Sequence, residues 1–265
     1  MRLGGLFAKS PPEHSKKKRA CSERRDILIC CAANFLFSHD TETQRSDNIL
    51  ENPKTEEYIM KILFQGDSIT DWHRSRTDDT DVGQGYALLV KSRLSLDYPG
   101  KFEFLNRGIG GNRVADVYAR MNGDIIALRP DFMSIMIGTN DYPWVDNDKY
   151  LRRYEKVFDM LIGDVLEDLP DLKLMIMEPF LLPGERVVQE GYPKRLLQTQ
   201  KRSEVSQRIA EKYGARFVPI QKLLDEACEK APVDYWTLEG VHVTSAAYQI
   251  LADEWIKAFK EIYGL

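Results

Sequence analysis

The chain has 265 residues, of which 43% are apolar and 29% charged, and its formal net charge is −4. That is enough for one good-sized domain or two small ones of ordinary globular composition. The charge excludes a field strong enough to gather nucleic acid or an acidic membrane surface, and no apolar stretch reaches the ~18–20 residues of a membrane helix.

Residues 1–59 differ from the rest, with a Pro-Pro pair, a basic cluster over 16–25 and a polar stretch over 39–57. No period of 3.6 or 2 persists there, so they read as a disordered N-terminal extension or as sequence ahead of a true start at Met60. A secretory signal is the competing reading, but the apolar run over 27–37 is interrupted by Asn34 and no small-residue cleavage pattern follows it. Beyond Met60, strand and helix patterns alternate. Strands are predicted over 62–65, 102–105, 132–137, 172–177 and 217–218. Helices are predicted over 84–96, 114–121, 150–166, 201–213, 221–230 and 245–262. Alternation of this kind implies an α/β fold: a three-layer α/β/α sandwich around a five-stranded parallel sheet. In such sheets ligands sit outside the carboxyl ends of the strands. Three of those ends carry glycine-rich polar turns, at Gly66-Asp67-Ser68, Gly108-Ile109-Gly110-Gly111-Asn112 and Gly138-Thr139-Asn140-Asp141, which should converge on one rim.

Three of the four cysteines fall within residues 1–59 and Cys228 stands alone. This is no disulfide framework, and the expected compartment is the cytoplasm. Only two of the four histidines, His73 and His242, lie beyond Met60. A three-histidine zinc site is therefore not expected, and the reading calls for no metal and no cofactor.

Ser68 follows a strand and a glycine on a tight turn. A serine there often caps a helix, but it is also placed for nucleophilic attack. An acyl-transfer site needs a base for that hydroxyl, a group to orient the base, and donors for the developing oxyanion. The base is then His73, five residues after Ser68 and also readable as a solvated loop side chain, or His242, just before the last amphipathic helix, with Glu239 three residues earlier and Asp234 as a second candidate acid. Gly111 and Asn140 sit on the turns expected to flank Ser68, where backbone N–H groups and an amide can serve as donors. Glycine and asparagine are also ordinary turn residues. A dinucleotide fingerprint in 108–113 fails, because its third glycine position is Arg113.

Taken together, the motifs resemble those of the GDSL-type, or SGNH, esterase family. Gly66-Asp67-Ser68-Ile69-Thr70 is similar to its first block, Asn106-Arg107-Gly108-Ile109-Gly110-Gly111-Asn112 to its second, and Gly138-Thr139-Asn140-Asp141 to its third. Glu239-Gly240-Val241-His242 occupies the place of its closing Asp-x-x-His block, with glutamate where the family has aspartate. The resemblance spans about residues 60–263. It implies a flavodoxin-like SGNH hydrolase fold, a catalytic set of Ser68, His242 and Glu239, and an oxyanion hole from Ser68, Gly111 and Asn140. The nearest branch is that of bacterial carbohydrate esterases of the acetyl-xylan type. A small-molecule or oligosaccharide ester is then the expected substrate, contacted by Asp67, Trp72, His73 and Trp144. Nucleic-acid and membrane partners are not expected, and a homo-oligomer is left open. A general short-chain acyl esterase or thioesterase, a lysophospholipase-type lipase, and a catalytically degenerate carbohydrate-binding protein are the alternatives.

Overall fold

The computed structural model describes residues 58–142 and 148–265. Five strands, β1 (Met60–Gly66), β2 (Phe102–Asn106), β3 (Phe132–Met136), β4 (Lys173–Met177) and β5 (Arg216–Val218), form one sheet in the order β2-β1-β3-β4-β5. Every neighbouring pair is parallel. This is the flavodoxin-like order, in which the chain reverses its direction of winding between β1 and β3.

Successive strand residues point to opposite faces, and the sheet uses both. Ile62, Phe64, Phe132, Met136, Met175 and Met177 enter one buried cluster, while Leu63, Met133, Ile135, Leu174 and Ile176 enter the other. The first cluster is covered by α2 (Tyr86–Asp97), α7 (Gln221–Cys228) and α9 (Ser245–Tyr263), through side chains such as Val90, Leu224 and Trp255. The second is covered by α3 (Val114–Met121), α4 (Asp148–Asp168) and α6 (Tyr192–Tyr213), through Val117, Leu161 and Ile209 among others. Two apolar faces require two helical layers, which is the three-layer sandwich expected from the strand pattern.

Some elements depart from the expected bounds. Helix α6 begins at Tyr192, not Lys201, with Pro193 in its first turn and Gly191 in the left-handed region before it. Proline is well suited to a first helical turn. The inward face of that first half carries Arg195, Gln198, Thr199 and Arg202, so it shows no hydrophobic period. Three short helices were not expected: α1 (Ser68–Asp71), α5 (Glu185–Gln189) and α8 (Val233–Trp236). Each is too short for a period of 3.6 to register. A π-helical turn at Asn122–Ile126 extends α3.

Candidate active site

The end of β1 places Ser68. Gly66 has φ of +155°, and a Cβ there would run into the Met136 carbonyl and the Thr70 hydroxyl, so the turn requires glycine. Asp67 caps α1, its Oδ1 accepting from the Ile69 amide at 3.0 Å. Ser68 is then the first residue of that helix, with its hydroxyl at the rim of the sheet.

The turn after β2 is docked on α1 by side chains. Asn106 Nδ2 donates to the carbonyls of Thr70 (2.6 Å) and Val82 (2.8 Å), and the Gly110 amide donates to Asp71 Oδ2 at 2.9 Å. Gly111 follows at the exposed tip with φ of +79°. The amides of Ser68 and Gly111 have no acceptor among the described residues. From the turn after β3, Asn140 Nδ2 donates to Asp67 Oδ2 at 3.3 Å and to the Asn112 carbonyl at 3.2 Å. Both bonds are long, so an oxyanion would be a stronger acceptor than either. The three donors thus follow β1, β2 and β3, around the point where the winding reverses.

The histidine comes from the turn before α9. His242 Nε2 lies 2.8 Å from Ser68 Oγ, and its Nδ1 lies 2.6 Å from Glu239 Oε1. The turn is closed by Thr237, whose hydroxyl donates to the His242 carbonyl at 2.7 Å and accepts from the Gly240 amide at 2.8 Å. It is also held from outside: Leu182 N donates to Gly240 O at 2.8 Å and Val187 N to Glu239 O at 3.2 Å. A Cβ on Gly184 would strike Gly240, and one on Gly240 would strike Val187 and the Leu182 carbonyl. The two chain segments therefore meet backbone to backbone.

Ser68, His242 and Glu239 come together as expected, and Gly111 and Asn140 flank Ser68. Asp234, on α8, has no hydrogen bond or ion pair to the imidazole among the described residues. The expectation that Asp67 touches substrate needs correction: it is 1% exposed and both its oxygens face inward, to Ile69 and Asn140. Burial pushes its carboxyl up to about 7, and the same cause raises Asp141, whose Oδ2 accepts from the Val114 amide, to about 7. Trp72 is half-buried, its ring 5.4 Å from those of His242 and Tyr248, so it supports the imidazole. His73 is exposed beside Trp72, and both have positive φ. Trp144 lies outside the described residues.

One site residue escaped the sequence reading. Arg186 Nη2 donates to Glu239 Oε1 at 3.0 Å, the same oxygen that meets His242. It stands 53 residues from Glu239 on the short helix α5, and no local pattern links the two. A cleft of about 550 Å³ opens next to Asn140, with Tyr142, Tyr150, Arg113 and Arg153 among its walls.

The hydroxyl–imidazole–carboxylate chain and the convergent donors are the parts that acyl transfer requires. The model of the GDSL-like Lipase/Acylhydrolase family matches residues 64–250. An acetylxylan esterase of Geobacillus stearothermophilus is 35% identical over 211 residues, covering 74% of this chain and 92% of that protein. The crystal structure of an acetylxylan esterase from that organism has a TM-score of 0.66 at 31% identity, covering 76% of this chain and 94% of the other. A candidate GDSL-like lipase from Parabacteroides merdae reaches 0.69 at 30% identity, covering 76% and 96%. Catalytic variants of the Geobacillus enzyme alter a serine, an aspartate and a histidine, the aspartate standing three residues before the histidine. By fold, motif order and sequence, the chain belongs to the GDSL-like Lipase/Acylhydrolase family and is a carboxylic ester hydrolase.

Proposed function

We propose that the chain removes acetyl groups from carbohydrate through a covalent acyl-enzyme. The observation that carries the mechanism is the unbroken relay from Ser68 Oγ through His242 to Glu239, at 2.8 and 2.6 Å. Ser68 Oγ attacks the ester carbonyl as His242 Nε2 takes its proton. The carbonyl π electrons move to oxygen, and the Ser68 and Gly111 amides and Asn140 Nδ2 receive that negative charge. Collapse of the tetrahedral intermediate breaks the bond to the sugar oxygen, which leaves with the proton from His242. Water then attacks the acetyl-serine by the same route, releasing acetate. Glu239 holds the Nδ1–H tautomer and stabilises the imidazolium.

The carbohydrate part rests on likeness to the acetylxylan esterases and on the open cleft beside Asn140, with its tyrosine faces. Aromatic faces pack well against the C–H faces of sugar rings. Acetate release from acetylated xylooligosaccharides, measured beside hydrolysis of p-nitrophenyl esters of rising acyl length, tests both parts. The expected result is release of acetate from the oligosaccharides and a kcat/KM maximum at acetyl. A maximum at octanoyl or beyond would replace the carbohydrate reading with a lipase.

A further inference from the structure

The cleft beside Asn140 has a charge character that the chain as a whole lacks. The protein carries a net charge of −4, yet Arg113 and Arg153 both line this opening, and among the described residues Asp141 is the only carboxylate in its walls. Asp141 is turned inward, its Oδ2 on the Val114 amide. Two further arginines lie against the wall. Arg195 sits with Cζ 5.3 Å from the Tyr142 ring centre, and Arg202 Nε donates to the Asp141 carbonyl at 3.0 Å. Arg195 is paired with Glu190, and Arg113 with Asp116 at 3.1 Å. Arg153 differs. It is exposed, has no carboxylate partner among the described residues, and lies with Cζ 5.7 Å from the Tyr150 ring centre. Stacking on a ring restrains a guanidinium while leaving its N–H edge open.

A neutral sugar offers such a group hydroxyl acceptors but no opposite charge, whereas a carboxylate offers both. We propose that this cleft binds a carboxylate-bearing sugar residue joined to the acetylated one, so that the substrate is an acetylated, uronic-acid-containing oligosaccharide. The inference rests on the carbohydrate reading above and narrows it. Ser68 reacts with the acetyl ester while Tyr142 and Tyr150 offer faces to the neighbouring ring. The planar carboxylate of that ring meets the N–H edge of Arg153, with Arg113 adding to the positive potential. Arginine suits this role because its fork matches a carboxylate two bonds at a time.

The test compares kcat/KM for two acetylated xylooligosaccharides of equal length, one carrying a uronic acid branch beside the acetylated sugar, at low and high salt. The wild-type protein is expected to favour the charged substrate by roughly tenfold, the size of one charge-assisted contact at a partly exposed site. High salt should shrink that preference. Arg153→Gln should bring the ratio close to one, and Arg153→Lys should keep part of it. A ratio near one in the wild type, or an unchanged ratio in Arg153→Gln, with the neutral oligosaccharide still cleaved, overturns this inference and leaves the carbohydrate reading standing. Cleavage of p-nitrophenyl acetate but of neither oligosaccharide overturns both.

Discussion

Replacing Glu239 by glutamine removes one charge and keeps the shape of the side chain. During attack His242 becomes an imidazolium facing the carboxylate. At ~4 Å between charge centres and an effective dielectric of ~20, their attraction is about 4 kcal/mol. Glu239 is partly exposed and Arg186 already draws on the same oxygen, so about half of that, ~2 kcal/mol, should be lost, or roughly thirtyfold in kcat. The amide brings a second hazard, since an N–H aimed at Nδ1 would stabilise the wrong tautomer. Arg186 guards against it, because its Nη2 needs an acceptor where Oε1 now stands and so turns the amide oxygen that way. Arg186→Ala in the glutamine background removes this bias, and the double variant should fall a further ~10-fold or more, toward the penalty of a wrong tautomer. Glu239→Asp should also be costly. The carboxylate retreats by about one C–C bond, ~1.5 Å, and the turn cannot follow because Gly184 and Gly240 already hold it backbone to backbone. Asp234→Asn should leave kcat within about twofold, as expected of a surface change away from the site. Steady-state kcat on p-nitrophenyl acetate reads all of these. If Asp234→Asn loses as much as Glu239→Gln, the acid is misassigned. A double variant no slower than Glu239→Gln alone would show that Arg186 does not orient the side chain.

Ser68→Ala and His242→Ala should each lower ester hydrolysis by several powers of ten, and the double variant should be little worse than either, because the residues act as one unit; a folded Ser68→Ala protein that keeps most of its activity would show that another group attacks. Asp67 and Asp141 should make stability depend on pH. Burial raises each carboxyl from its ordinary 3.8 to about 7 in the folded state, so the folded chain holds extra protons between those values. Their contribution is full below pH ~4 and is lost as pH rises through about 7. The melting temperature of the wild type relative to Asp67→Asn should therefore fall over that window, and a difference that is flat or rises with pH counts against a buried neutral Asp67. Trp255 is fully buried, with its ring 5.4 Å from those of Phe64 and Phe132 and 5.1 Å from that of Phe259; Trp255→Ala should cost about 3–5 kcal/mol in urea unfolding, and a loss below about 1 kcal/mol would mean the core closes over the gap.

The parts legible in the sequence were those that act locally. Short apolar runs ending in glycine marked the strands, and the layered sheet follows from alternation and connection rules. Ser68, Gly111, Asn140 and His242 lie within a few residues of such landmarks. What stayed hidden depends on contacts between distant segments. The first half of α6 buries arginine, glutamine and threonine, so a pattern of apolar residues had nothing to register there. Asp67 was expected at the substrate only through the family resemblance; the fold shows that its oxygens serve Ile69 and Asn140. Arg186 reaches Glu239 through a backbone approach that two glycines permit, and glycine alone does not reveal what it lets draw near.

The two halves of the site are anchored to different things. Ser68, Gly111 and Asn140 follow three adjacent strands, the inner β1 and β3 and the edge strand β2, whereas Glu239 and His242 sit on a turn held by the backbone bonds of residues 182–187 and by its own Thr237. Opening that turn uncovers Val241 and Val243 but leaves the rest of the first apolar cluster in place, so it costs less than separating the strands, which requires global unfolding. Amide exchange should accordingly release the 237–243 segment well before the amides of β1 and β3. In mild denaturant the protein should go silent toward esters while its sheet is still intact, and it should regain activity on dilution without refolding. The histidine arm thus behaves as a fuse on an otherwise rigid frame.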